Sequence, residues 1–276
     1  MGERITLDAL AGPRGSLSGA LFRDDSGAEA SWLIAQRKGG HRHSIDDVLT
    51  AWYALSVSAA VTEHLDLGTG IGTVGLLTLF GMGAAARLTC VEAQEISYRL
   101  LQSNIVQNGL RERVDCHFGD LRELALGRTF PMVTGSPPYF PPGSGVLPQD
   151  SQKAHARFEL RGDVRDYAKA AALHLADCGW FVLCFPTPQK QRALDGIFAA
   201  GLRVVRLRDV IPRETLPALF TVFACKHARD FDGETSIEAP LLVRHISGRL
   251  TEEMAGVRRV FGFADGEAHG GYGVKQ

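Results

Sequence analysis

Apolar positions along this chain follow two periods, and the switches between them predict the elements. Residues 16–37 alternate loosely around a Ser/Gly/Asp-rich turn at 24–27, which predicts a hairpin ahead of the core. Ser44 then opens a helical pattern from Ile45 to Val61. Ile45, Val48, Leu49, Trp52 and Leu55 share one face, and Asp47 completes an approximate capping box with Ser44. From residue 64 onward, strand candidates at 64–67, 87–92, 113–118, 131–135 and 180–185 alternate with helix candidates at 72–81, 94–108, 164–177 and 189–200. Short apolar strands separated by helices predict an α/β fold, a parallel sheet with helices on both faces.

The end of the core breaks the alternation. Runs 202–210 and 218–226 are both β-rich with no helix between them, so a C-terminal antiparallel ribbon is expected beside the parallel sheet. Leu250, Met254, Val257 and Phe261 mark one short amphipathic helix, and the last dozen residues are Gly-rich and read as loose. There is no internal repeat and no strong linker. The expected division is an N-terminal hairpin and entry segment over 1–43, a core over 44–230 and a C-terminal extension over 231–276.

Composition narrows the classes. The 276 residues carry 30 Lys+Arg against 31 Asp+Glu, a net charge of −1, and 45% are apolar. That excludes disorder, collagen-like repeats and a highly basic nucleic-acid coat protein, but not an RNA enzyme that gathers positive charge on one face. No stretch approaches the roughly 20 apolar residues of a membrane span, and MGERITLDALAGPRG has no apolar signal core. Cys90, Cys116, Cys178, Cys184 and Cys225 show no CxxC pair and no zinc spacing, and four of them sit in apolar runs. A soluble, cytoplasmic protein with reduced thiols, no membrane and no metal is expected.

Candidate chemistry starts at Asp66-Leu67-Gly68-Thr69-Gly70-Ile71-Gly72, which closes the first core strand and leads into a helix. Glycines let the backbone turn sharply against a ligand, and a helix N-terminus offers free N–H groups to an anion. Gly70-Ile71-Gly72-Thr73-Val74-Gly75 also fits the GxGxxG dinucleotide pattern. Glu92 ends the second strand, twenty residues past Gly72, where an acid can accept both hydroxyls of a ribose. Asp120, after the third strand, is placed to reach an adenine amino group. Three acids at successive strand ends beside a glycine turn point to an adenosine-bearing cofactor, without deciding which.

A second motif, Ser136-Pro137-Pro138-Tyr139, follows the fourth strand. Adjacent prolines hold the backbone extended and leave the Pro137 carbonyl free to accept a hydrogen bond. With the Ser136 hydroxyl it makes two acceptors facing one point, suited to a planar –NH₂ group. Tyr139 offers a face on which a base stacks, worth roughly 1–3 kcal/mol in single-strand recognition.

DLGTGIG, Glu92, Asp120 and SPPY together resemble the S-adenosylmethionine-dependent methyltransferases of exocyclic and amide nitrogens. The resemblance implies their seven-stranded Rossmann-like sheet, S-adenosylmethionine as cofactor, Asp66, Gly68, Thr69, Gly70, Gly72, Glu92 and Asp120 as its site, and Ser136, Pro137, Pro138 and Tyr139 as the catalytic tetrad. Within that group, Gly40 to Leu49 is similar to the entry helix of the bacterial tRNA (adenine-N6) methyltransferases, which act beside the anticodon of a valine tRNA. Ala156-Arg157-Phe158-Glu159 is similar to a further segment of theirs. The resemblance implies a nucleic-acid partner, tRNA, with Tyr139, Phe140, Arg42 and His43 on the substrate side.

One position departs from the family. Its tetrad usually begins with Asn, and Ser136 accepts the same hydrogen bond from a shorter side chain, as in relatives acting on cytosine amino groups. Adenine N6 in tRNA is the expected acceptor. The nearest alternative is a protein glutamine amide, although those enzymes carry a separate N-terminal helical domain where this chain has a hairpin. From other classes come an NAD-dependent oxidoreductase, which leaves Ser136–Tyr139 unexplained, and a non-catalytic cofactor-binding protein. Gly143–Lys153 reads as a mobile cover. Two basic clusters, Arg37, Lys38, His41, Arg42 and His43, and Arg203, Arg206, Arg208 and Arg213, are candidate phosphate-binding edges.

Overall fold

The alternation of apolar side chains on the central strands dictates a sheet buried on both faces. On the strand Leu175–Pro186, Val182 and Cys184 enter one apolar cluster while Phe181, Leu183 and Phe185 enter another, all of them fully buried. Val222 and Ala224 against Phe223 and Cys225 repeat the division on Phe220–His227. Such strands need helices on either side.

The computed structural model describes residues 17–23 and 31–263. In chain order these form β1 (Leu17–Arg23), β2 (Ser31–Arg37), α1 (Ile45–Val57), β3 (Glu63–Leu67), α2 (Thr73–Met82), β4 (Arg87–Glu92), α3 (Glu95–Gln107), β5 (Val114–Phe118) and β6 (Phe130–Gly135). They continue with α4 (Ser151–Arg157), α5 (Val164–His174), β7 (Leu175–Pro186), α6 (Lys190–Ala199), β8 (Leu202–Ile211), β9 (Phe220–His227), β10 (Ser236–Leu242) and α7 (Glu252–Val260). Among the described residues the main sheet has eight strands, in the order β10-β8-β9-β7-β6-β3-β4-β5. β3, β4, β5, β6 and β7 run parallel, and β9 lies antiparallel between β7 and β8. The order reverses at β3, with β4 on one side and β6 on the other, which opens a crevice at the carboxyl ends of those strands.

The expected α/β architecture and antiparallel ribbon are present, with one correction: the sheet has eight strands rather than seven. β10 pairs parallel to β8, and its register shifts between Glu238 and Leu241, around Ala239 and Pro240. Pro240, in the middle of the run, hid this strand from a periodicity reading. Thus the segment after residue 231 adds a strand to the sheet.

Other boundaries move for local reasons. α1 carries the Ser44/Asp47 capping box but ends at Val57 instead of Val61, where Ser58 turns extended and Ala59 and Ala60 face solvent. The helix expected over 164–177 stops at His174, because Leu175 peels off to pair with Phe130. The ladder resumes at Met132 and Trp180 after a break that includes Cys178 at φ 58°. Within the expected cover loop, Asp150 caps α4 by accepting from the Lys153 N–H (3.0 Å), so only the part before Asp150 is irregular.

β1 and β2 form the expected antiparallel hairpin, while its turn at 24–27, residues 1–16 and the Gly-rich end lie outside the described residues. Asn104 of α3 ties β2 to the core: its amide oxygen accepts from the Ala35 N–H (2.8 Å) and its amide nitrogen donates to the Ile71 carbonyl (2.9 Å). All five cysteines are free thiols. No helix among the described residues is long and apolar enough to cross a membrane.

Candidate functional site

The crevice at the strand ends widens into a cavity of about 500 Å³. Its floor is the glycine turn after β3. Gly68 and Gly70 hold φ values of +58° and +61°, which side-chain-bearing residues adopt only with strain. At Gly68 a Cβ would meet the Tyr167 hydroxyl at 1.9 Å, whereas at Gly70 it would meet nothing within 4 Å, because that face opens into the cavity.

Asp66 organises the turn from beneath. One of its oxygens accepts from the Thr134 hydroxyl (2.5 Å), the other from the Thr69 hydroxyl (2.5 Å) and the Gly75 N–H (3.0 Å). Burial pushes its carboxyl up to about 6, against the opposing pull of those donors. Glu92 closes the turn from the side, accepting from the Gly70 N–H (2.8 Å) and the Gln94 N–H (2.6 Å). Burial likewise raises it to about 6. A carboxylate has about four acceptor positions, so Glu92 keeps capacity for donors on a ligand. Asp120 lines the cavity too, but Arg122 grips it through both oxygens (2.9 and 2.6 Å) and holds its carboxyl below the usual range.

The proline corner forms the facing wall. Tyr139 and Phe140 both donate their N–H groups to the Arg157 carbonyl (3.0 and 2.9 Å), and Glu159 returns a bond to the Phe140 carbonyl (2.9 Å). Behind the corner, Gln189 donates to the Tyr139 carbonyl (2.9 Å), and Arg192 binds both Gln189 and Glu159. Pro137 and Pro138 are buried, and no donor among the described residues reaches the Pro137 carbonyl. The Ser136 hydroxyl rests 3.5 Å from the Cys184 sulfur, whose thiol burial pushes up to about 12. Tyr139 packs edge-on against Phe185, donates its hydroxyl to Asp46 (2.5 Å) and lies 3.3 Å from the same sulfur. Burial, then the Asp46 charge, raises the Tyr139 phenol well above its ordinary range.

The structure therefore gathers Asp66, Gly68, Thr69, Gly70, Glu92, Asp120, Arg42, Ser136, Pro137, Pro138, Tyr139 and Phe140 around one cavity. Gly72 and His43 lie outside its wall. Gly72 caps α2, where a Cβ would strike Leu101 at 2.7 Å. His43 turns to the Gln36 side chain, and burial lowers it to about 4, so it is neutral at pH 7. Most arginines of the late ribbon are also committed elsewhere. Arg206 pairs with Glu238 and Arg208 with Glu253, while Arg203 lies over Phe198. Arg37 pairs with Asp150.

Three further residues escaped the sequence reading. Asp46 was hidden as a first-turn helix acid, Tyr167 sits on a helix remote from every motif, and Asn104 resembles any polar helix position. Tyr167 covers Gly68 and Gly135 alike, which makes glycine necessary at both.

No family model matches the chain. The tRNA1(Val) (adenine(37)-N6)-methyltransferase of Actinobacillus succinogenes is 27% identical over 169 residues, 60% of this chain and 68% of that protein. The protein of the same name from Mannheimia succiniciproducens is 26% identical over 221 residues, 78% of this chain and 84% of that one. Among solved structures, a predicted O-methyltransferase from Agrobacterium tumefaciens superposes with a TM-score of 0.59 at 15% identity, over 80% of this chain and 99% of that one. The chain is thus similar in sequence to bacterial tRNA adenine methyltransferases and shares the methyltransferase fold.

Proposed function

We propose that this protein transfers a methyl group from S-adenosylmethionine to the exocyclic N6 amine of an adenine in tRNA. The observation that carries the reading is the juxtaposition of the open Gly70 face and Glu92 with the pinned Ser136–Tyr139 corner across one cavity. Sequence similarity to enzymes named for adenine N6 of tRNA supports adenine over the other amines.

The residues present fit the cofactor. Gly70 leaves room for close approach, and Glu92 retains acceptor capacity for the two ribose hydroxyls. The bound donor supplies a methyl group already activated on a sulfonium. The chain's task is to hold the amine in attack geometry, which in favourable cases contributes roughly 7–11 kcal/mol. An aryl amine is a poor nucleophile because its lone pair is delocalised into the ring. Ser136 and the Pro137 carbonyl accept its hydrogens and localise the lone pair. The same acceptors, fixed beforehand, meet the positive charge that develops on nitrogen. Tyr139 stacks against the base, and Asp46 sets a carboxylate at the Tyr139 hydroxyl.

Labelled S-adenosylmethionine supplied with RNA, DNA and protein from cells lacking this gene tests the assignment. Label is expected in the tRNA fraction, as N6-methyladenosine after nuclease digestion. Label in protein alone would replace it with amide methylation.

Glu92 gives the site a pH signature. Its ionised form accepts donors best, so affinity for S-adenosylmethionine is expected to rise from about pH 5 to about pH 7 and then level off. Glu92→Gln should weaken binding by roughly tenfold to a hundredfold and flatten that rise, as read by calorimetry. The stability of the free protein runs the other way. Glu92 and Asp66 hold protons in the folded state that the unfolded chain has released, so their contribution favours the fold at low pH and is lost as pH rises through about 4 to 6.

A further inference from the structure

The chain between the proline corner and α4 is built unlike the surface around it. Six consecutive residues, Pro142 to Leu147, are exposed, and within them Val146 is 94% exposed and Leu147 49%. A lone exposed valine carries no message. Here two adjacent apolar side chains stand at the tip of a segment whose both ends are fixed.

At one end Pro141 and Pro142 continue directly from Phe140, and Ser144 folds back on the Pro141 carbonyl through its N–H (3.1 Å) and its hydroxyl (2.7 Å). At the other end Pro148 leads to Asp150, which caps α4 and pairs with Arg37 at 2.9 Å. Three prolines and an anchored acid give a stiff base to a tip that contributes nothing to the core. Both ends join the cavity wall, at Phe140 and at Gln152. Cationic groups accompany it: Arg42 and Arg157 line the cavity, with the Arg157 guanidinium 5.4 Å from the Phe140 ring centre, and Lys153 lies on α4.

A base reaches a pocket of this depth only after leaving its stack, and apolar side chains inserted between base steps are one way to hold that opening. We propose that Val146 and Leu147 form a wedge that enters the stacked bases of an RNA loop and fills the place left by the extruded adenine, while the flanking cations hold the phosphates. This rests on the methyltransferase reading above. It assigns to the Gly143–Pro148 segment a part in admitting the substrate rather than in covering the pocket.

The test compares two RNAs bearing the same target adenine, one within the stacked loop of a hairpin and one in a short unstructured oligonucleotide whose bases need no separation. The full-length protein and the Val146→Ser/Leu147→Ser double variant are assayed with labelled S-adenosylmethionine. The variant's ratio of hairpin rate to unstructured rate is expected to fall by about tenfold or more, the order set by losing an inserted side chain. A 2-aminopurine placed beside the target in the hairpin should brighten when the parent protein binds and stay dim with the variant. An unchanged ratio overturns the wedge, as does sedimentation showing that the two substitutions dissolve a self-associated form, which would make the tip a contact between copies. Methylation of neither RNA by the parent protein removes the methyltransferase reading and the wedge together, whereas methylation of both with an unchanged ratio removes the wedge alone.

Discussion

Tyr139→Ala is expected to lower methyl transfer by roughly 10³-fold or more while leaving affinity for S-adenosylmethionine within about twofold. Two losses multiply. The first is base stacking, roughly 1–3 kcal/mol, or about fivefold to 150-fold. The second is placement, since a reacting atom displaced by about 1 Å loses on the order of 10²-fold. The structure separates these from cofactor binding, because Tyr139 is held from the α1 and β7 side, through Asp46, Cys184 and Phe185, while the glycine turn is held by Asp66 and Glu92. Tyr139→Phe provides the internal control. It keeps the ring and loses only the hydroxyl bond to Asp46, so it should retain most of the activity that alanine destroys. Single-turnover rates together with cofactor calorimetry check both variants. Equal loss in the two would shift the weight from the ring to its hydroxyl.

Asp66→Ala should cost the protein its turn as well as its cofactor. The substitution takes the shared acceptor away from three donors, the Thr134 and Thr69 hydroxyls and the Gly75 N–H, at a position that is 1% exposed. Each unsatisfied buried group costs about 1–3 kcal/mol, offset in part because a costly buried charge is also removed. A net loss of about 2–4 kcal/mol lowers the melting temperature by roughly 5–15 °C in a chain of this size. The smaller Asp66→Asn change keeps one acceptor oxygen and should recover part of the stability. Thermal melts with and without S-adenosylmethionine distinguish the two effects: the parent gains stability from the ligand, and the alanine variant gains little.

Where the sequence spoke clearly, one local signal had one physical meaning. Runs such as Trp180–Phe185 have no polar face, so they belong inside a two-sided sheet, and the strand–glycine–helix passage at Asp66–Gly72 has few other readings. Signals failed where the fold, and not the local pattern, decides which partner a side chain meets. Asp120 reads as a free acid until Arg122 is seen to close on both its oxygens. Arg206 and Arg208 read as a phosphate edge until Glu238 and Glu253 arrive from segments thirty or more residues later. Asp46 and Asp47 are equivalent as letters. Position on the first turn of α1 alone sends Asp47 back to the Ser44 N–H and Asp46 forward to Tyr139. Gly72 and Gly70 differ likewise only in which way their missing side chains would have pointed.

The register shift on β10 reaches beyond the local ladder. An outermost strand normally presents a free row of amides and carbonyls, a template on which another molecule's strand can lie down. Here Pro240 has no amide hydrogen to offer, and the neighbouring Ala239 carbonyl is already taken by the Arg208 guanidinium at 2.7 Å. Pro240 thus leaves a gap in that row of donors and works against edge-on growth into larger aggregates, a protection that Pro240→Val would remove without touching the pocket.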